Sequence, residues 1–213
     1  MKNIILEGAN ATGKTTTMNL IRKLYPESNF IEFHDFYHEH VFNQLKLGEL
    51  HNQEHWDVLN VDQKNEINNY LCKRNQLTFD FISKQNANRN IIERLVLTHS
   101  VYSKILLNID ITSYLQEQAE LFNSSNTVLI LVTCDNNILK DILTENIRTR
   151  EGRNAPTSQY HLKSVEMGLL KNELYNEHFD LLQNVTKHKI INSGNGVEEL
   201  QNTVITALKS LSV

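Results

Sequence analysis

Short apolar runs alternate along this chain with longer stretches in which apolar residues return every three or four positions. The first pattern predicts strands, and the second predicts helices buried along one face. Five runs read as strands: Lys2–Leu6, Asn29–Phe33, Asn90–Glu93, Thr127–Thr133 and Lys187–Asn192. The fourth, TVLILVT, is β-branched and apolar at consecutive positions, as a central strand covered on both faces requires. Helical sequence fills the intervals. It covers Lys14–Leu24, most of Phe36–Asn86 with a break near Gly48, and Leu95–Phe122 as two helices split near Asp110. Further helices are expected over Asn136–Thr149, Ser158–Gln183 and Val197–Leu211, with a polar loop at Arg150–Pro156. In the second stretch Val58, Val61, Ile67, Leu71, Phe79 and Ile82 are the apolar positions.

Strands separated by helices imply right-handed crossovers and a parallel sheet with helices on both faces, an α/β fold of three layers. Ligands of such sheets bind at the carboxyl ends of the strands. The polar residues expected there are Glu7-Gly8, His34-Asp35, Glu93-Arg94, Asp135 and Asn192-Ser193.

Composition narrows the class. The 213 residues fit one domain, 1–213, without repeat, linker or low-complexity tract. Hydrophobic content of 40% with 22% charge excludes a disordered chain, and the lack of a long apolar run excludes a membrane-spanning one. A net charge of −4 argues against a protein that coats nucleic acid. The leading apolar stretch is too short for a signal peptide, so Cys72 and Cys134, in no metal-like spacing, read as reduced core residues of a cytoplasmic protein. The 27 Asn and only two Pro are what an AT-rich genome writes, that of a low-GC bacterium or a phage in its host's cytosol.

Gly8-Ala9-Asn10-Ala11-Thr12-Gly13-Lys14-Thr15 fits G-x-x-x-x-G-K-[ST] in full, after a strand and opening a helix, with Thr16 next in line. Backbone N–H groups of such a loop converge on an anion, and the helix N-terminus adds a favourable dipole. Lys14 then reaches the β- and γ-phosphates of ATP, and the Thr15 hydroxyl ligates Mg²⁺.

Neither D-x-x-G nor N-K-x-D occurs, which removes the switch GTPases' signatures. The third strand ends instead in Glu93-Arg94. That pair suits a carboxylate on a metal-bound water or the acceptor, and a guanidinium on a phosphate oxygen. Arg148, Arg150 and Arg153 run off a helix into Gly152-Asn154-Ala155-Pro156, which reads as an Arg-rich lid at about 148–157.

NIILEGANATGKTT followed by IIERLVLTHSVYSK resembles the thymidylate kinase and deoxynucleoside kinase group of P-loop kinases. The likeness covers most of the chain, including the closing segments around Asn176–Asp180, Ile190–Ser193 and Val197–Leu200. It implies a five-stranded parallel sheet in an α/β/α P-loop kinase fold, an Arg-rich lid, ATP with Mg²⁺, and a small-molecule nucleotide or nucleoside acceptor. It further implies that Glu93 and Thr15 hold the metal, and that family members commonly pair as dimers, here through the apolar faces of Asn52–Asn86 and Leu95–Asn108. By analogy with thymidylate kinases, Arg74 and Tyr102 sit where the acceptor is read. The Arg-Glu-Pro element of those enzymes is replaced by Phe33-His34-Asp35-Phe36-Tyr37. In deoxynucleoside kinases an acid after the second strand is the general base; Asp35 or Glu32 fills that place, although Leu95 departs from the usual Ser. The lid and tail favour the monophosphate acceptor, with the nucleoside acceptor as the alternative. A polynucleotide kinase and a non-kinase NTP-dependent switch complete the readings.

Phe36, Tyr37, Phe42 and Trp56 offer a ring to stack on a base or a set of core aromatics. His51 and His55, with His34, His38 and His40, lack the further ligands a zinc site needs. No membrane or nucleic-acid partner is expected.

Overall fold

The computed structural model describes residues 2–33, 57, 59–85, 88–151 and 159–211. Within them five strands form one parallel sheet: β1 (Asn3–Glu7), β2 (Asn29–Glu32), β3 (Asn90–Glu93), β4 (Thr127–Cys134) and β5 (Lys187–Asn192). The spatial order is β2-β3-β1-β4-β5, so the first strand lies in the middle. Seven α-helices connect them: α1 (Lys14–Leu24), α2 (Val61–Lys84), α3 (Val96–Tyr102), α4 (Thr112–Ser124), α5 (Asn136–Glu151), α6 (Gln159–Leu181) and α7 (Val197–Ser210). A π-helical turn, Ser103–Leu107, prolongs α3. The expected α/β/α sandwich is the fold observed.

Alternation along β1 separates the two cores. Ile4 and Leu6 pack with Met18 and Ile21 of α1 and with Leu200, Val204 and Leu208 of α7. Ile5 faces the other way, into Phe79 and Ile82 of α2, Leu97 and Val101 of α3, Phe122 of α4 and Tyr175 and Phe179 of α6. All eight residues of β4 are buried, as its unbroken apolar run requires. The register Leu6↔Glu93 and Ile4↔Ile91 brings the carboxyl ends of β1 and β3 side by side. That register puts the loop after β1 next to the acid that ends β3.

Several expectations need correction. Val61 is exposed at the start of α2, whereas Ile67, Leu71, Phe79 and Ile82 are buried. The difference is positional: Val61 opens the helix after the Asn60 cap, which forms a capping box with Gln63. Helix α5 runs on through Glu151, so Arg150 lies on its last turn rather than in the loop, while Arg148 is helical as expected. Residues 96–101 are buried in the chain's own core, whereas Ile105 and Leu106 beyond them are half-buried. Cys134 is buried and Cys72 half-buried, and both are free thiols. Among the described residues no helix is long and apolar enough to cross a membrane.

Candidate active site

The loop between β1 and α1 is built from backbone that only a few residues tolerate. Gly8 has φ +147°, and a Cβ there would sit 2.2 Å from the Val132 carbonyl oxygen of β4. Gly13 has φ +99°, and its missing Cβ leaves room for Leu200 and Asn192. Ala11 also takes a positive φ, +67°. The Thr12 hydroxyl donates to the Ala9 carbonyl at 3.0 Å, and the Asn192 side chain donates to the Thr12 carbonyl at 3.1 Å, tying the loop to the end of β5. No side chain caps α1 at Gly13, and its first turn carries no acid. The N–H groups and positive end of the dipole are therefore left for an anion. Asn10 and Thr15 are exposed, and Thr16 is half-buried.

Lys14 is buried, and its ammonium donates to the buried Glu93 carboxylate. Burial lowers the Lys14 pKa first, and the Arg94 cation adds to that; Glu93 and Glu7 act in the opposite direction. Arg94 holds the left-handed conformation, φ +65°. Its N–H donates to the Leu6 carbonyl at 3.1 Å and its guanidinium to the Asn10 side chain at 3.0 Å. Its Nε also lies 3.5 Å from Glu93. Lys14, Glu93, Arg94 and the loop thus meet at one point. The Thr15 hydroxyl and the Glu93 carboxylate are the hard oxygen donors that Mg²⁺ takes, so the residues present fit that ion. Among the described residues no group of three or more His, Cys, Asp or Glu makes a further metal site.

Arg74 lies on the α2 side of the sheet, its guanidinium 4.8 Å above the centre of the Phe33 ring. Both line an open cavity of about 370 Å³ together with Ile31, Tyr70, Lys73 and Thr78. Arg74 donates twice to the Asn75 side-chain oxygen, at 3.2 and 2.9 Å. Asn75 Nδ2 meets His99 Nδ1 at 3.2 Å, and His99 Nε2 meets Asn68 Oδ1 at 2.9 Å. The Asn75 oxygen is committed to Arg74, so its NH₂ must donate to His99 Nδ1, and His99 Nε2–H donates to Asn68. Burial, with Arg74 nearby, holds the His99 pKa down to about 3, so the ring stays neutral. Tyr102 is half-buried under the Lys171 ammonium, 4.6 Å from the ring centre.

Glu32 does not face this cavity. It pairs with Arg22 of α1, on the face where Phe30 packs, while Ile31 and Phe33 take the opposite one. Arg148 pairs with Glu145 on its own helix at 2.9 Å. Asp35, Phe36, Tyr37, Phe42, Trp56, Arg153 and the histidines at 34, 38, 40, 51 and 55 lie outside the described residues, as does the side chain of Arg150. Sequence reasoning missed Asn75, His99 and Tyr175, since no motif or spacing marks them. It noted Glu7 and Asn192 as strand-end residues without giving either a task.

No protein-family model matches the sequence, and no curated protein matches it. Solved structures do. Thymidylate kinase from Candida albicans superposes with a TM-score of 0.59 at 15% identity, covering 99% of this chain and 92% of that one. Deoxyadenosine kinase from M. mycoides, solved with bound dATP, gives 0.56 at 16% identity, covering 98% of this chain and 100% of that one. The YorR protein from Bacillus subtilis, solved with phosphorylated GDP, gives 0.50 at 17% identity, covering 98% of this chain and 96% of that one. The chain has the fold of the nucleoside and nucleotide kinases of the P-loop class.

Proposed function

We propose that the protein is a cytoplasmic ATP-dependent phosphotransferase whose acceptor is a deoxynucleoside monophosphate, as in thymidylate kinases, yielding the diphosphate. The observation that carries this reading is the meeting of Lys14, Glu93 and Arg94 at the mouth of an uncapped helix, beside a cavity holding Arg74 over Phe33. Loop amides from Gly8 to Thr16 hold the donor phosphates, with Lys14 leaving Glu93 to neutralise them. Thr15 and Glu93 hold Mg²⁺, which when bound offsets charge on the donor oxygens. Arg94 orients the transferred group, and Arg150 and Arg153 add positive charge from the lid as charge spreads over the equatorial oxygens. Arg74 and Phe33 hold the acceptor, and Tyr102, Phe36 and Tyr37 are the further residues assigned to it.

The monophosphate is preferred to a nucleoside on one ground. A nucleoside hydroxyl needs a general base, whereas a phosphate oxygen is already anionic. Of the described carboxylates near the loop, Glu93 is given to Mg²⁺, Glu7 is enclosed by donors and Glu32 is held by Arg22 on the other face. Asp35 is the base that the nucleoside reading would require. The test is ADP release from Mg·ATP with each of four deoxynucleoside monophosphates and four deoxynucleosides, with Lys14→Ala as the blank. Turnover with a monophosphate supports the proposal. Turnover only with nucleosides, abolished in Asp35→Asn, overturns it in favour of a deoxynucleoside kinase.

A further inference from the structure

We infer that Glu7 is a positioning residue that holds the Glu93–Arg94 turn against Lys14, and that Thr98 and Tyr175 anchor this hold to α6. The kinetic part of the inference rests on the phosphotransferase reading above. Glu7 ends β1 with a fully buried carboxylate. A carboxylate in such a place persists only when its oxygens are satisfied. Here they accept four hydrogen bonds, all from the segment just after Arg94. Oε1 takes the N–H of Leu95 at 2.8 Å and of Leu97 at 3.0 Å. Oε2 takes the N–H of Thr98 at 3.2 Å and its hydroxyl at 2.5 Å.

Helix α3 begins after Leu95 with no side-chain cap of its own. Glu7, arriving from another strand, does what a local Ser or Asp does at other helix starts. Burial pushes the Glu7 carboxyl up, while these four donors pull it down. Two consecutive residues of β1 therefore hold the whole turn: the Leu6 carbonyl takes the Arg94 N–H, and the Glu7 carboxylate takes those of Leu95, Leu97 and Thr98. That is how a residue with a side chain is kept at φ +65°, a conformation that persists only when its surroundings over-determine it. The direction of the hydroxyls follows. Thr98 donates to Glu7, so the Tyr175 hydroxyl, 2.7 Å from Thr98 Oγ1, must donate to Thr98. Tyr175 belongs to α6, the helix that follows the Arg-rich segment in the chain. The chain Tyr175–Thr98–Glu7 thus fastens α6 to the turn that aims Glu93 and Arg94.

The test uses the full chain with Glu7→Gln, Thr98→Val, Thr98→Ser and Tyr175→Phe. Glutamine keeps the shape but turns an NH₂ toward donors that require an acceptor. In Glu7→Gln, amide exchange at Leu95, Leu97 and Thr98 should speed up at least tenfold relative to amides of β4. Its kcat should fall roughly 10- to 100-fold while KM for Mg·ATP moves less than about threefold. Thr98→Ser, which keeps the hydroxyl, should match the wild type, and Thr98→Val and Tyr175→Phe should fall between. If Glu7→Gln does not fold, the Thr98 and Tyr175 variants carry the same two readouts. Unchanged exchange in the turn, or a kcat that follows only the folded fraction, overturns the inference. A wild-type protein that transfers no phosphoryl group defeats the kinase reading alone, because the exchange arm still judges the turn.

Discussion

The Lys14 ammonium donates to the Glu93 carboxylate across 79 positions of sequence, and both side chains are almost wholly buried. The contact follows from topology: β1 and β3 are neighbours, with Leu6 opposite Glu93. Removing one partner of such a pair leaves an uncompensated charge, which costs about 3–5 kcal/mol. Glu93→Gln is therefore expected to lose both stability and activity. In the double variant Lys14→Met/Glu93→Gln the stability should recover in large part while the activity stays absent. Denaturant titrations of the two singles and the double would give the coupling energy. Losses that simply add would mean that the pair is not coupled in the folded chain.

Arg94 shows a conflict between stability and function. Its positive φ costs a residue with a side chain roughly 1–2 kcal/mol, which glycine avoids. Against that, the guanidinium gives an exposed hydrogen bond to Asn10 and approaches Glu93 at 3.5 Å. Arg94→Gly should thus melt at the wild-type temperature or a few degrees above it, while kcat drops by about two orders of magnitude. A melting temperature well below wild type would show that the guanidinium carries structural weight after all.

The strands were legible because their apolar runs are short and β-branched, and β4 announced that it is an interior strand, between β1 and β5, by having no polar face. The phosphate loop was legible because Gly8, Gly13 and Lys14 must recur at fixed spacing to shape one turn. Glu7, Asn75, His99 and Tyr175 were not, since each acts through a partner 24 to 91 residues away whose approach depends on the whole packing. Val61 misled for a local reason: the apolar period continues through α2, but the first helical residue stands clear of the core. The end of α5 lay two residues further on than the polar composition of Arg150–Pro156 indicated.

Two glycines with positive φ separate the cost of space from the cost of dihedral. At Gly196, φ +114°, an added Cβ meets nothing within 4 Å, so alanine pays only for the backbone, about 1–3 kcal/mol. At Gly8 the same methyl would lie 2.2 Å from a backbone carbonyl of the buried strand β4. Gly8→Ala should lose several kcal/mol beyond the Gly196→Ala value, or fail to fold. Equal losses in urea titrations of the two variants would mean that β4 and the loop can shift apart freely.

Arg74 is held twice by Asn75 above Phe33, and the proposed acceptor lies against it. A hydrogen bond to a charged group is worth about 1.5–3 kcal/mol. Arg74→Ala should accordingly raise KM for the acceptor some 10- to 100-fold and leave KM for Mg·ATP nearly unchanged. Initial-rate measurements with each substrate varied in turn give both constants. A rise confined to Mg·ATP would move Arg74 to the donor side and remove the acceptor from the α2 cavity.

His99 ties stability to pH in one direction. Its ring is buried and neutral, accepting from Asn75 at Nδ1 and donating to Asn68 from Nε2, with a folded-state pKa near 3 against 6.5 for an ordinary histidine. Between those values the unfolded chain binds a proton that the folded chain refuses. The stability His99 contributes is therefore fully present above about pH 6.5 and is lost as pH falls toward 3, at up to about 1.4 kcal/mol per pH unit. Other buried groups titrate too, His178 among them, whose pKa is also lowered by burial, so the wild-type curve alone does not isolate the ring. The comparison with His99→Gln does. Glutamine can accept from Asn75 and donate to Asn68 but does not titrate, so its stability curve should be the flatter of the two below pH 6.5. The gap between the curves, measured by urea unfolding at half-unit steps from pH 7.5 to 5, should change by about 2 kcal/mol over that window in the variant's favour as the pH drops. Parallel curves would mean that the ring takes up its proton in the folded state as readily as in the unfolded chain.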